Sequence, residues 1–405
     1  MRKIMIALAL LLCLGLSGCS SLLENSYEVS TPHVDRPATA EDPSILRAEN
    51  YRELVSAVFY FVSQGEETGV IQLYDYPGDV ETDLTEACLE VATQDPLGAY
   101  FVDYIKHELV RVVSYHQATL SIRYRRTMEQ VASMVNVTGT SAIRTEVREA
   151  LGSFREEVVL RVAYLAEDAD SLAALVRETY YAAPAYALGM PQVEINLYPD
   201  SGRERVVEIL LTYPGDSYEL SAHAGELARM AVEITGEYRL LPAGEIPLGA
   251  AQALYGRVAY DPEGPANPYD ALTQGRANSE GMALTYALLC GEALSTPGGK
   301  CDIVAGSLGL PVQDTPDEPA EEGETPPPWA WEYRFWNVVT LPGQEPLYLD
   351  PATEETAFHT AQELFDLGYR WPGGPVEEVE LTLFLMDSLS EDGGETGEDP
   401  VPTGE

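Results

Sequence analysis

Asn278-Ser279-Glu280-Gly281-Met282-Ala283-Leu284-Thr285-Tyr286-Ala287-Leu288-Leu289-Cys290-Gly291-Glu292-Ala293-Leu294 decides how the chain folds. From Met282 to Leu294 apolar residues fall on nearly every side of a helical turn. A helix without a polar face must be covered all round, so this one belongs at the centre of a domain. Ser279 is expected to cap its N-terminus, and Asn278 could serve equally, since both side chains accept from free amides of a first turn. Ahead of it, Pro247 to Asp261 reads as a helix. Beyond it come a short strand, Cys301–Ala305, then an acidic Pro-rich insertion, 310–328. A strand Tyr333–Leu341 follows, then a Pro342-Gly343 turn and Leu347-Tyr348-Leu349-Asp350-Pro351.

This order of parts resembles the transglutaminase-like domain of bacterial surface proteins, a papain-type fold. In that family a nucleophilic cysteine opens the buried helix, a histidine follows on a strand, and an aspartate ends the next strand. The helix N-terminus favours a thiolate, the imidazole takes the proton, and the carboxylate orients the imidazole. Ser279-Glu280-Gly281-Met282-Ala283 is similar to the nucleophile segment and Phe335-Trp336-Asn337-Val338 to the histidine strand. Leu349-Asp350-Pro351-Ala352 is similar to the aspartate strand, and Leu364–Trp371 to the closing segment. The resemblance covers about 247–386. It implies a domain over 246–386 in which the buried helix packs on an antiparallel sheet.

The departures from the pattern bear on function. Ser279 stands where the family has cysteine and Arg334 where it has histidine; only Asp350 matches. Serine needs a base to become a nucleophile, and a guanidinium keeps its proton at physiological pH. His359 or Cys290 would have to be recruited to rebuild a catalytic set, and Cys290 lies three turns into the helix. The expectation is a degenerate triad without catalysis. Arg334 is expected to pair with Asp350 through a two-bond fork, close to the Ser279 helix end. Ser279, Arg334, Asp350 and Trp331 are the candidate ligand-binding residues. The alternative is an active peptidase or hydrolase using Ser279 or a recruited nucleophile.

Upstream, residues 46–240 read as a mixed α+β domain. Helical spacing covers 47–63, Asp79–Ala92, 140–151 and 168–182. Strand-like runs are Val70–Tyr76, Tyr100–Tyr115, Thr119–Tyr124 and Val158–Tyr164, with a hairpin Gln192–Tyr198/Arg205–Tyr213 across Asp200-Ser201-Gly202. Thr119–Tyr124 with its following helix echoes Val158–Tyr164 with its own. The fold class is therefore α+β throughout.

Arg2, Lys3 and the apolar run Ile4–Leu16 form a leader too short to span a bilayer. It ends in Leu16-Ser17-Gly18-Cys19, which resembles the bacterial lipobox. That implies a signal peptide over 1–18, lipidation of Cys19, a tether over 19–45, and a protein anchored at the outer face of the cell membrane. The partners expected are the membrane, through that lipid, and a peptide, protein or cell-wall ligand.

With 24 Lys+Arg against 66 Asp+Glu, the formal net charge is −42. Such a chain is a poor partner for nucleic acid, whose affinity comes from cationic side chains on phosphates. The 45% hydrophobic share supports a full core. The insertion 310–328 and the acidic tail 387–405 carry too little apolar surface to offset ordering entropy. Past the leader and Cys19, the cysteines are Cys88, Cys290 and Cys301. Cys290 and Cys301 could close a short loop or stay as buried thiols. The five scattered histidines form no ligand spacing, so neither a metal nor another cofactor is expected.

Overall fold

The computed structural model describes residues 37–42, 44–311 and 329–375. The leader, Cys19, most of the acidic insertion and the tail lie outside them. The chain is α+β and divides into two compact units. Of the described residues, one unit holds those up to 179 together with 191–213, and the other holds 180–190 and those from 214 to 375.

The first unit begins with β1 (Ile45–Ala48), α1 (Tyr51–Gln64), β2 (Thr68–Tyr74), α2 (Val80–Thr93), α3 (Pro96–Phe101), β3 (Val102–Val112) and β4 (Tyr115–Tyr124). Asn50 caps α1 by accepting from the Glu53 amide, and Gly65 ends it at φ 69°. That left-handed geometry suits glycine. Leu54, Val55, Val58, Phe61 and Val62 recur at helical spacing and are buried with Leu84, Ala87, Cys88 and Val91 of α2. Both helices cover a sheet of order β1-β2-β4-β3. β1 and β2 are parallel, with Ile45 opposite Val70. The other pairs are antiparallel, with Leu73 opposite His116 and Leu109 opposite Ala118.

After α4 (Met128–Ala132) the same plan returns: β5 (Val135–Val137), α5 (Thr140–Ser153), β6 (Glu157–Val162), α6 (Ala169–Tyr181), β7 (Gln192–Tyr198) and β8 (Arg205–Thr212). The sheet order is β5-β6-β8-β7, again with one parallel pair followed by antiparallel ones. The first unit is thus a tandem of two β-α-β-α-β-β modules, the first of which carries the additional short helix α3. Val159 and Val206 of the second sheet join the core of the first module.

Several elements differ from their sequence reading. The helix expected from 47 begins at Tyr51, because 45–48 forms β1 beside β2. The strand expected from Tyr100 begins at Val102. Asp95 caps and Pro96 opens α3 just before it, and the aromatic residues there hid that short helix. The internal echo exists in a different phase. Val158–Tyr164 corresponds to β2 of the first module, whereas Thr119–Tyr124 is β4.

The second unit contains α7 (Ser217–Thr235), α8 (Ile246–Tyr255), β9 (Ala259–Tyr260), α9 (Pro268–Gln274), β10 (Arg276–Ala277) and α10 (Ser279–Ala293). It continues with β11 (Lys300–Pro311), β12 (Trp329–Thr340), β13 (Leu347–Leu349), α11 (Ala361–Asp366) and β14 (Tyr369–Arg370). The helix expected through Asp261 stops at Tyr255, where the chain turns to pair β9 with β10. α7, read from sequence as part of the upstream domain, packs on α8, α9 and α10 here. Helix α10 is buried almost from end to end: Gly281 through Cys290 and Ala293 are all enclosed. It packs on α7, α8, α9 and the antiparallel pair β11/β12 of a sheet ordered β13-β12-β11-β14.

Polar ties fix this helix at three heights. Asn337 donates to the Ala283 carbonyl at 3.0 Å, Tyr286 to Pro247 at 3.1 Å, and Tyr238 to Leu289 at 3.0 Å. Gly281 is needed for close approach, because a Cβ there would strike the Pro265 carbonyl. Among the described residues no helix is long and apolar enough to cross a membrane.

Candidate functional site

Strand β12 carries Arg334, Phe335, Trp336 and Asn337 in succession, of which none is more than 6% exposed. Alternation along a strand sends successive side chains to opposite faces. Phe335 and Asn337 turn toward α10. Asn337 bonds its Ala283 carbonyl, and Phe335 packs on Tyr181, whose hydroxyl donates to Glu280 in the first turn of α10. Arg334 and Trp336 stand on the other face. There Trp336 packs with Leu364, Tyr369 and Trp371.

Arg334 sits beside Asp350, as the sequence leads one to expect. Its Nε donates to Asp350 Oδ2 at 2.9 Å. The expected two-bond fork does not form. The Nη1 arm turns instead to the Tyr260 hydroxyl at 2.9 Å and to Glu332 Oε1 at 3.1 Å, and the guanidinium lies 4.8 Å over the Tyr260 ring. Asp350 is 3% exposed and fully engaged. Oδ2 also accepts from the Tyr369 hydroxyl at 2.7 Å, and Oδ1 accepts from the Ala352 amide at 2.8 Å, closing a turn at Pro351. Burial alone would lower the Arg334 pKa, but the charge and hydrogen bond of Asp350 hold it above its ordinary value. The Tyr369 hydroxyl is pushed up by burial and by the Asp350 carboxylate beside it.

Ser279 is the first residue of α10 but not its cap. Asn278 has the extended geometry of a cap, φ −75° and ψ −178°, and accepts from the Gly281 amide at 2.9 Å. The sequence supplied two adjacent capping residues, and the onset of helical dihedrals chose the first. Among the described residues Ser279 makes no side-chain hydrogen bond, and none joins it to Arg334 or Asp350. The route from one to the other runs through Tyr260, whose strand β9 pairs with Ala277 just ahead of the helix. Strand alternation is the reason: the residues of β12 that meet the helix are Phe335 and Asn337.

Glu280, beside Ser279, has a pKa raised by burial and only partly offset by the Tyr181 hydrogen bond. His359 is tied to Tyr348 through its backbone in both directions at 2.8 Å, on the strand edge, and contributes no base to Ser279. Cys290 lies wholly in the core. Trp331 is 56% exposed on β12, in line with Tyr333. Among the described residues no group of three or more His, Cys, Asp or Glu is placed to hold a metal.

A second charged cluster, in the first unit, escaped the sequence reading. Glu208 of β8 is 1% exposed and accepts from Arg126 Nη2 at 2.6 Å. Asn196 and Tyr198 of β7 donate to its other oxygen at 3.2 Å each. Arg126 follows β4, so this pair ties one module to the next, with the guanidinium 5.3 Å over the buried Tyr100 ring. The available signal was a lone acid inside Arg205–Tyr213, a run otherwise rich in Val, Ile and Leu. No family model and no curated protein matches the chain.

Proposed function

We propose that the chain is a lipid-anchored extracytoplasmic protein whose second unit is a transglutaminase-like domain that no longer catalyses. In this reading it binds a peptide, protein or cell-wall ligand, or serves as a structural part of the envelope. The observation that carries the reading is the closed network around Asp350. The one triad position kept spends both carboxylate oxygens on Arg334, Tyr369 and Ala352. Acyl transfer needs a nucleophile beside a base with a pKa near the working pH. Arg334 is held further from losing its proton than an ordinary arginine, and among the described residues Ser279 has no base within hydrogen-bond reach.

The test uses purified full-length protein with serine-directed fluorophosphonate and thiol-directed activity probes, beside a heat-denatured control. No labelling above the control is expected. Labelling of Ser279 accompanied by peptide or ester turnover that Ser279→Ala abolishes would reverse the conclusion. The anchor is tested separately, by metabolic fatty-acid labelling of Cys19→Ala. That variant should lose the label and membrane retention while the second unit stays folded.

A further inference from the structure

Three free cysteines remain among the described residues, and two of them sit on neighbouring elements. Cys290 closes the buried run of α10, and Cys301 stands in the first turn-proximal positions of β11, opposite Val339 of β12. The connection from α10 to β11, 294–299, is short and contains Thr296-Pro297-Gly298-Gly299, with Gly298 at φ 82°. Burial pushes the Cys301 thiol upward, and the neighbouring Cys290 adds to that push. Asn337 Nδ2 approaches Cys301 Sγ at 3.9 Å. Cys290 is fully buried, and Cys301 is partly exposed. Cys88, in α2 of the first unit, is buried among aliphatic side chains with its thiol pushed up to about 12 by burial.

From this juxtaposition we propose that Cys290 and Cys301 are a dithiol that oxidises to a disulfide, pinning the end of α10 to the start of β11. A disulfide requires two sulfurs whose backbones already approach, and α10 packs directly on β11. The oxidant is an external disulfide. One thiolate attacks it, forming a mixed disulfide and releasing one thiol. The second thiolate then displaces the remaining half, so the Cys290–Cys301 bond forms and a second thiol leaves. Two protons and two electrons pass to the external disulfide. Burial raises the Cys301 thiol well above its ordinary pKa, so thiolate is scarce once the helix is seated. Oxidation should therefore be fast while α10 and β11 assemble and slow in the closed unit. The inference stands apart from the proposed function, because it requires only an oxidising solution and not an extracytoplasmic address.

The test refolds the full-length protein from denaturant in mixed reduced and oxidised glutathione, traps free thiols with N-ethylmaleimide, and maps peptides by mass spectrometry. The expected result is a Cys290–Cys301 cross-linked peptide lighter by two hydrogens, with Cys88 alkylated. Cys88→Ala should leave the cross-link unchanged, and Cys301→Ser should leave Cys290 alkylated. Dithiothreitol should lower the melting temperature of the oxidised protein. Alkylation of Cys290 and Cys301 in the same yield as Cys88, or cross-links to Cys88 in comparable amount, would overturn the proposal. The wild-type map decides the matter even if Cys301→Ser fails to fold.

Discussion

Asp350 and Arg334 both leave water when the second unit folds, and each is left in surroundings where an unpaired charge is costly. Removing one partner strands the other, which typically costs ~3–5 kcal/mol, against ~0–1 kcal/mol for an exposed pair. Arg334→Ala should fall in the higher range, because Asp350 would keep only Tyr369 and the Ala352 amide. Asp350→Ala should cost less, since Arg334 retains Tyr260 and the half-exposed Glu332. Urea unfolding of both single variants and the double variant checks this. The double should be less destabilised than the sum of the singles, by roughly 0.5–3 kcal/mol, and strict additivity would count against it. At the same scale, Asn278→Ala should cost ~0.5–2 kcal/mol as a lost cap. Ser279→Ala should stay within about 0.5 kcal/mol of wild type. Thermal melts of the two variants side by side rank them. The pairing of Arg334 with Asp350 was legible from the order of motifs. The division of the guanidinium among three acceptors was not, because Tyr260 lies far away in sequence and reaches it only through the β9/β10 pair.

At the scale of the element, β11 illustrates what a sequence hides. Its reading stops at Ala305, yet the strand runs to Pro311, beside a β12 that starts at Trp329 rather than Tyr333. Gly306-Ser307-Leu308-Gly309 has poor strand propensity, and the pairing comes from its partner and not from itself. The glycines serve packing. A Cβ at Gly306 would collide with the Arg370 carbonyl and come within 2.5 Å of the Trp336 ring. Gly306→Ala should therefore push β14 off the sheet and loosen the Trp336 cluster, costing ~1–3 kcal/mol. Fluorescence-monitored denaturation should show the transition at lower denaturant together with a changed tryptophan signal. An unshifted midpoint would show that β14 yields freely. Helix α2 was read more faithfully, because Asp79 marks its start with a cap and Leu84, Ala87, Cys88 and Val91 mark its buried stripe.

For the molecule as a whole, electrostatics sets a standing load. With 66 acids against 24 bases, repulsion between carboxylates outweighs the attraction in exposed ion pairs such as Arg161–Glu204 and Arg144–Glu178. Salt screens both, with a Debye length falling from about 30 Å at 0.01 M to about 3 Å at 1 M. The larger effect should decide the sign, so raising sodium chloride from low millimolar to molar should raise the melting temperature. A fall in calorimetry would mean that the ion pairs dominate instead. The tandem plan of the first unit was only half legible. Similar topologies need share no similar residues, and the echo that could be read set β4 against β6 rather than β2 against β6.

That tandem has a consequence for how the chain avoids misassembly. Two modules with the same strand order offer each other plausible wrong partners, and swapped hairpins are a known failure of repeated architectures. The hairpins here have unequal reach: β3/β4 pairs over Val102–Tyr124, whereas β7/β8 spans only Gln192–Thr212 with shorter strands. An exchange would leave the longer hairpin with unpaired backbone. It would also bury Glu208 away from Arg126, the cation paired with it. Length mismatch and one misplaced charge together make the correct pairing of modules the cheaper one.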